Sequence, residues 1–403
     1  MKGNFKRKKL KNGLTLLFEK RNVPVVSIIF AIKAGSNNEL MSEKGISHFI
    51  EHLLYKGTQK RSARKIAEDI ERNGGELNGF TGEEVTGYWC KMPSDKLKFG
   101  LDVLSDLIKN PLFDEKEIEK ERKVIFEEMS MRKDNAPVYV FDEIQKCLYG
   151  GIMKIDTIGT KKTMGSMGRK QIIERFKQFY TANNLILCVV GNLDFEKIVT
   201  FAENSFEKKK GVVPKQKITL KNEVKIEKRK GIDQANILFA YHSPLPKSKE
   251  IYASRVLISL MAEGMSSRLF GEIREKRNLA YAVKGSLEAH RDFSFSWIYF
   301  GIMKENVEKV RKLILQEFEK VSKDLTEEEL TSVKTQLRGQ YKISMEDSQV
   351  QMINLLASEI QTRAENFYDF EENIKKVTLK DVKKLAAKVK EGKYSFFALI
   401  PEN

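Results

Sequence analysis

Cysteine is scarce in this chain: there are three in 403 residues, Cys90, Cys147 and Cys188, an odd number, widely spaced and without a CxxC pair. That excludes a disulfide framework and a thiolate metal site, and it suits a reducing compartment with the thiols as buried apolar spacers. Long apolar runs are missing as well. None approaches the roughly 20 residues that cross a bilayer, so no membrane partner is expected. The basic start, Met1 to Lys9, is followed by no apolar stretch of the kind found in secretory signals, which makes cytoplasmic the expected location. Acidic residues fall short of basic ones, 56 against 72, for a net charge of +16. The surplus raises nucleic acid as a partner. Yet lysines and glutamates are interleaved, as in Glu115-Lys116-Glu117-Ile118-Glu119-Lys120-Glu121-Arg122-Lys123, and no binding module accompanies the charge. Such stretches read as solvated helix faces, and no nucleic acid is expected.

What is present is the composition of an ordinary globular protein, 41% hydrophobic and 32% charged, in a chain long enough for two or more domains. Alternating runs predict strands over Leu14 to Glu19 and Val25 to Ile32, a pair entering a sheet, and over Glu76 to Thr81, Val85 to Met92 and Leu185 to Val190. Apolar periodicity predicts helices over Ala63 to Arg72, Ser94 to Lys109, Asp114 to Arg132 and Arg169 to Tyr180. The mixed order predicts an α+β fold with antiparallel pairings.

The second half repeats the first. Ser27-Ile28-Ile29-Phe30-Ala31 matches Asn236-Ile237-Leu238-Phe239-Ala240 at a shift of 209, and Gln171 to Val190 runs over Asp381 to Ile400 at a shift of 210. Lys96 to Leu101 resembles Asn306 to Arg311 in apolar spacing, again at 210. A shift that constant implies duplication of a domain of about 200 residues. The expected division is 1–207, a linker at 208–221 that includes Lys208-Lys209-Lys210-Gly211, and 222–403.

Only four histidines occur, and two of them stand four apart in His48-Phe49-Ile50-Glu51-His52. Residues four apart share a helix face, so both imidazoles can reach one ion, and Glu51 points the same way. Ile46, Phe49, Ile50, Leu53 and Leu54 supply an apolar stripe, Ser42 a candidate cap, and Gly57 a candidate left-handed stop. At the shift of 209 the three polar positions fall on Leu257, Leu260 and Met261, so one copy carries metal ligands and the other does not. A catalytic zinc takes a third protein ligand. The following charged helix offers Glu117, Glu119, Glu121, Glu127 and Glu128, and composition does not choose among them.

His48-x-x-Glu51-His52, followed by Glu121-Arg122-x-Val124-Ile125-x-x-Glu128, resembles the pitrilysin, insulin-degrading enzyme and mitochondrial processing peptidase family of inverzincins. In that family the metal glutamate lies about 76 residues after the second histidine. The resemblance therefore implies Zn²⁺, one per subunit, on His48, His52 and Glu128, with Glu127 as the alternative ligand. It further implies Glu51 as the base that activates the metal-bound water, and Glu121 as the residue that orients a histidine ligand. Gly74 to Thr81 resembles the family's edge strand beside the zinc, which implies that Asn78, Gly79, Phe80 and Thr81 bind a substrate peptide added as a further β-strand. Ser267 to Tyr281 resembles its C-terminal motif, which implies that Arg274 and Tyr281 contact substrate near the scissile bond. Two positions depart from the family: Asn278 stands where many relatives have Gly, and Gly79 where they often have Ala.

The resemblance implies an endopeptidase acting on short peptides or unfolded protein segments. The alternatives are a peptidase that removes the leader of one particular protein and a non-catalytic peptide-binding or structural subunit. Relatives of twice this length close two such halves into a clamshell. A chain of this length is therefore expected to form a homodimer, or a heterodimer with a related subunit, around a chamber.

Overall fold

A computed structural model describes residues 4–402; Met1 to Gly3, which begin the basic N-terminal stretch, and Asn403 lie outside the described residues. The first half runs β1 (Phe5–Lys9), β2 (Thr15–Lys20), β3 (Val25–Ile32), α1 (Ile46–Leu54), α2 (Ala63–Glu71), β4 (Glu76–Thr81), β5 (Thr86–Pro93) and α3 (Leu97–Lys109). It continues through α4 (Glu115–Asp134), α5 (Ala136–Leu148), α6 (Lys161–Ser166), α7 (Arg169–Phe179), β6 (Leu185–Gly191) and α8 (Phe195–Ser205). The second half runs β7 (Val224–Arg229), β8 (Ala235–His242), α9 (Glu250–Ala262), β9 (Ala280–Ala289), β10 (Ser294–Ile302), α10 (Val307–Asp324) and α11 (Glu327–Ser344). It ends with α12 (Ser348–Gln361), α13 (Phe370–Lys376), α14 (Leu379–Ala386) and β11 (Ser395–Pro401).

The strands form two sheets, in the orders β1-β2-β6-β3-β5-β4 and β7-β11-β8-β10-β9. Without β1 the two orders are the same, strand for strand. In each, the last strand of its half lies parallel to the first neighbour and antiparallel to the second. The duplication is thus visible in topology, and the fold is α+β with two homologous, mainly antiparallel sheets packed with helices. One local expectation fails: β2 and β3 are not a pair, because β6 lies between them. All seven residues of β6 are buried, and a strand apolar on both sides belongs in the middle of a sheet rather than at its edge.

Two compact units interleave along the chain. One comprises residues up to Met129, Ile155–Gln216 and Ser344–Tyr368; the other comprises Ser130–Lys154, Lys217–Ile343 and the chain from Asp369 on. Within the first unit, α1, α3 and α7 cover one sheet face through Phe49, Leu53, Leu104 and Ile172. The opposite face, Leu17, Ile29, Ile186, Cys188 and Val190, is covered by Met352, Leu355 and Leu356 of α12, which comes from the second half of the sequence. Within the second unit, α9, α10 and α14 cover one face. Its other face, Leu238, Ala240, Phe397 and Leu399, takes Val140, Ile144 and Cys147 of α5, from the first half. Each unit therefore borrows the equivalent helix from the other half of the sequence. Double coverage is also why β3, β6, β8 and β11 read as near-continuous apolar runs. All three cysteines are buried and free. Among the described residues no helix is long and apolar enough to cross a membrane.

Candidate metal centre

The centre lies within the first unit, on α1, α4 and β4. Helix α1 is fixed from below by Ile46, Phe49, Ile50, Leu53 and Leu54, all buried, each worth about 1.5–3 kcal/mol of transfer free energy. Its start differs from the sequence expectation. Ser42 does not cap it; the N-cap is Gly45, at φ +98°, with no side-chain cap of its own. A Cβ at Gly45 would stand 2.6 Å from the Ile158 carbonyl oxygen, so glycine is needed for space as well as for φ. The cap comes instead from Glu39, whose carboxylate accepts from Gly45 N and Ser47 N, both at 2.8 Å. A carboxylate here meets both the orphan N–H groups and the positive end of the helix dipole.

Glu39 is fully buried and faces Lys44, also buried, at 4.0 Å. Lys44 Nζ donates to the Ser36 carbonyl at 2.9 Å. Burial pushes the Glu39 carboxyl up to about 7, against the pull of Lys44 and the two backbone donors, and pushes the Lys44 ammonium down. Neither residue stood out in the sequence. Their signal is weak: a short Gly35-Ser36-Asn37-Asn38-Glu39 stretch between a strand and a helix.

Helix α4 docks on α1 through Arg122, whose guanidinium lies 5.3 Å from the Phe49 ring centroid and donates to the Met167 carbonyl at 2.8 Å. That docking aims Glu121, Ile125 and Glu128, spaced i, i+4 and i+7, at α1. Ligand atoms of His48, His52 and Glu128 all lie within 4.8 Å of one another. Glu128 Oε2 is 3.6 Å from His48 Nε2 and 3.7 Å from His52 Nε2. Ligands at zinc's usual bond lengths of about 2.0–2.2 Å in a tetrahedron stand about 3.4 Å apart, so two nitrogens and a carboxylate oxygen at this spacing fit the ion. Glu127, the alternative ligand, is exposed and stands outside this cluster.

Glu121 is buried, its Oε2 3.1 Å from His52 Nδ1. A proton on Nδ1 shared with that carboxylate leaves the Nε2 lone pair for the centre. The other Glu121 oxygen takes an ion pair from Lys56 at 2.7 Å. Lys56 did not stand out in the sequence; it lies in the turn just past the end of α1. Glu51 projects beside the histidines and accepts from Thr81 Oγ1 at 2.6 Å. Burial raises its carboxyl above the ordinary range, opposed by the Thr81 hydrogen bond.

Of the remaining candidates, Asn78, Gly79, Phe80 and Thr81 lie on β4, the terminal strand of the first sheet, bonded to β5. Among the described residues its outer row of backbone groups has no strand partner. Arg274 and Tyr281 belong to the second unit. The Arg274 guanidinium lies 4.9 Å from the Phe270 ring centroid, and Tyr281 is half exposed on the terminal strand β9. Asn278 sits at φ +51°, a left-handed position that asparagine tolerates better than most residues.

Models of two known domains match the chain: the insulinase (peptidase family M16) domain over residues 15–160 and the peptidase M16 inactive domain over 166–337. A protein named an uncharacterized zinc protease from Rickettsia felis is 34% identical over 354 residues, covering 86% of this chain and 85% of its own. A Bacillus subtilis protein of the same description is 32% identical, covering 86% of each chain. A crystal structure of a protease from Helicobacter pylori superimposes with a TM-score of 0.91 at 24% identity, over 98% of this chain and 99% of its own. The peptidase M16 inactive domain from Pseudomonas fluorescens gives 0.90 at 18% identity, over 99% and 98%; both likenesses speak to the fold.

Proposed function

The chain belongs to the insulinase family, peptidase family M16, and from that premise we propose that it is a zinc-dependent endopeptidase acting on short peptides or unfolded segments. The observation that carries the reading is the His48, His52 and Glu128 cluster with Glu51 beside it, all in the half that matches the insulinase model. The half that matches the inactive-domain model is the one whose equivalent positions are Leu257, Leu260 and Met261. The word inactive thus attaches to the copy without ligands, which favours a catalytic chain over a non-catalytic subunit.

Zinc on these three residues would supply a Lewis acid and bring the pKa of water toward neutrality. Glu51 takes a proton from the attacking water at the scissile carbonyl and returns it to the leaving amine. Glu121, braced by Lys56, holds the His52 ring in place. Strand β4 receives an extended peptide by main-chain pairing, which reads backbone more than side chains and favours broad specificity. Arg274 and Tyr281 hold the substrate carbonyl. We propose further that two copies form a homodimer in which these two residues complete the partner's zinc site; the support is the family resemblance of the Ser267 to Tyr281 motif.

Digestion of a mixed peptide library with the zinc-loaded protein tests this reading. Many cleaved sequences are expected. Cleavage of a single sequence class would turn the assignment to leader processing, and no cleavage at full zinc occupancy would end it.

A further inference from the structure

Glu51 of α1 and Tyr55, which caps the end of that helix one turn further on, face two alternate residues of β4, Gly79 and Thr81. Thr81 Oγ1 donates to Glu51 Oε2 at 2.6 Å. A Cβ at Gly79 would stand 2.5 Å from Tyr55 Oη, 3.0 Å from the Gly87 carbonyl oxygen and 3.3 Å from Glu51 Oε1. The strand is thus notched at Gly79, the notch admits the Tyr55 hydroxyl and one oxygen of Glu51, and the next residue on the same face grips the other oxygen.

We propose that Thr81 is the positioning residue of Glu51 rather than a substrate contact, and that the Gly79–Tyr55 fit sets how close the base-bearing helix sits to β4. The threonine hydroxyl occupies Oε2 and fixes the carboxylate plane, which leaves Oε1 over Gly79 with its lone pairs free to take a proton. Because Thr81 stands on the strand that would receive the peptide, ordering of that strand by a bound peptide also orders the base. This rests on the peptidase reading above.

The test compares Thr81→Val, which keeps the shape and loses the donor, with Thr81→Ser, which keeps the donor. Steady-state cleavage of a quenched fluorescent peptide drawn from the library hits gives kcat and KM; zinc titration and anisotropy of a labelled peptide on the metal-free chain give two readouts independent of turnover. For Thr81→Val, kcat is expected to fall about 10- to 100-fold, the cost of a misplaced reacting group, with KM, zinc affinity and metal-free peptide affinity within about twofold of wild type. Thr81→Ser restores most of kcat. A Thr81→Val protein that turns over like an active wild type, or one whose peptide affinity falls while kcat holds, overturns the proposal and leaves the peptidase reading standing. A wild-type chain that binds zinc and cleaves nothing overturns both. Should Thr81→Val fail to fold, Gly79→Ala carries the same test: kcat falls, and adding Tyr55→Phe, which removes the clashing hydroxyl, recovers part of it. No recovery in that double variant counts against the proposal.

Discussion

The two copies of the duplicated unit have sheets of the same strand order, yet the helices that follow β3 and β8 differ in how they begin and in what they bury. Helix α9 covers Glu250–Ala262 and carries Leu257, Leu260 and Met261 into the apolar core of its unit. At the shift of 209, α1 would begin five residues earlier than it does if it matched α9. In place of that extra turn the first copy has Gly45 at positive φ and the buried Glu39–Lys44 pair, which together cap a shorter helix. The comparison teaches that the fold needs the helix but not the histidines. The first copy carries the candidate ligands His48 and His52, partly buried, where the other copy packs hydrocarbon, and Glu39 caps the shorter helix that bears them.

The sharpest break between the copies is made at the base. Glu51→Gln keeps the shape of the side chain and cannot accept a proton, so peptide cleavage is expected to fall by about 10²- to 10⁴-fold while zinc stoichiometry is unchanged. Near wild-type turnover in that variant would remove Glu51 from the mechanism. At the ligand, Glu128→Gln is expected to weaken zinc binding by more than about 100-fold, beyond the 10- to 100-fold typical of residues that only support a ligand, and Glu127→Gln to change it little. The reverse order in a metal titration would move the site.

Running the comparison the other way sharpens it. Leu257→His places an imidazole in a fully buried position of the apolar core, and is expected to cost about 2–5 kcal/mol in denaturant unfolding without creating a zinc site. A stable variant that bound zinc would mean the second copy had retained a latent centre. The smallest expected effect concerns assembly. Mixing Glu51→Gln protein with an Arg274→Ala, Tyr281→Phe double variant should return at most about half of wild-type activity per mixed dimer, because one of two independent sites inherits both defects and the other neither. No recovery after demonstrated subunit exchange would show that each chain completes its own site.

Much of this was legible in the sequence because the strongest signals are local. The i, i+4 histidines fix a helix face, and the recurrence of Ser27 to Ala31 at Asn236 to Ala240 marks corresponding strands, β3 and β8. What escaped depends on contacts distant in sequence. That β6 separates β2 from β3 follows from pairing across about 170 residues, and no pattern within β2 or β3 announces it. Helices α5 and α12 could be read as amphipathic segments, but not as covers for a sheet built from the other half. At the site, Glu128 was separated from Glu127 only by family spacing; the structure separates them by direction, with Glu128 aimed at the histidines and Glu127 exposed. The Glu39–Lys44 cap and the Thr81–Glu51 hydrogen bond join residue types common on any surface, which become informative only when burial and distance are known.

The central claim is that the first copy holds a zinc ion and that hydrolysis depends on it. Metal analysis of the purified chain alongside a peptide-cleavage assay, before and after chelation and again after zinc is returned, tests it most directly. One zinc per chain is predicted, lost together with cleavage on chelation and regained together with it. Cleavage that persists in the metal-free chain, or a chain that takes up no zinc with His48, His52 and Glu128 intact, would contradict the account.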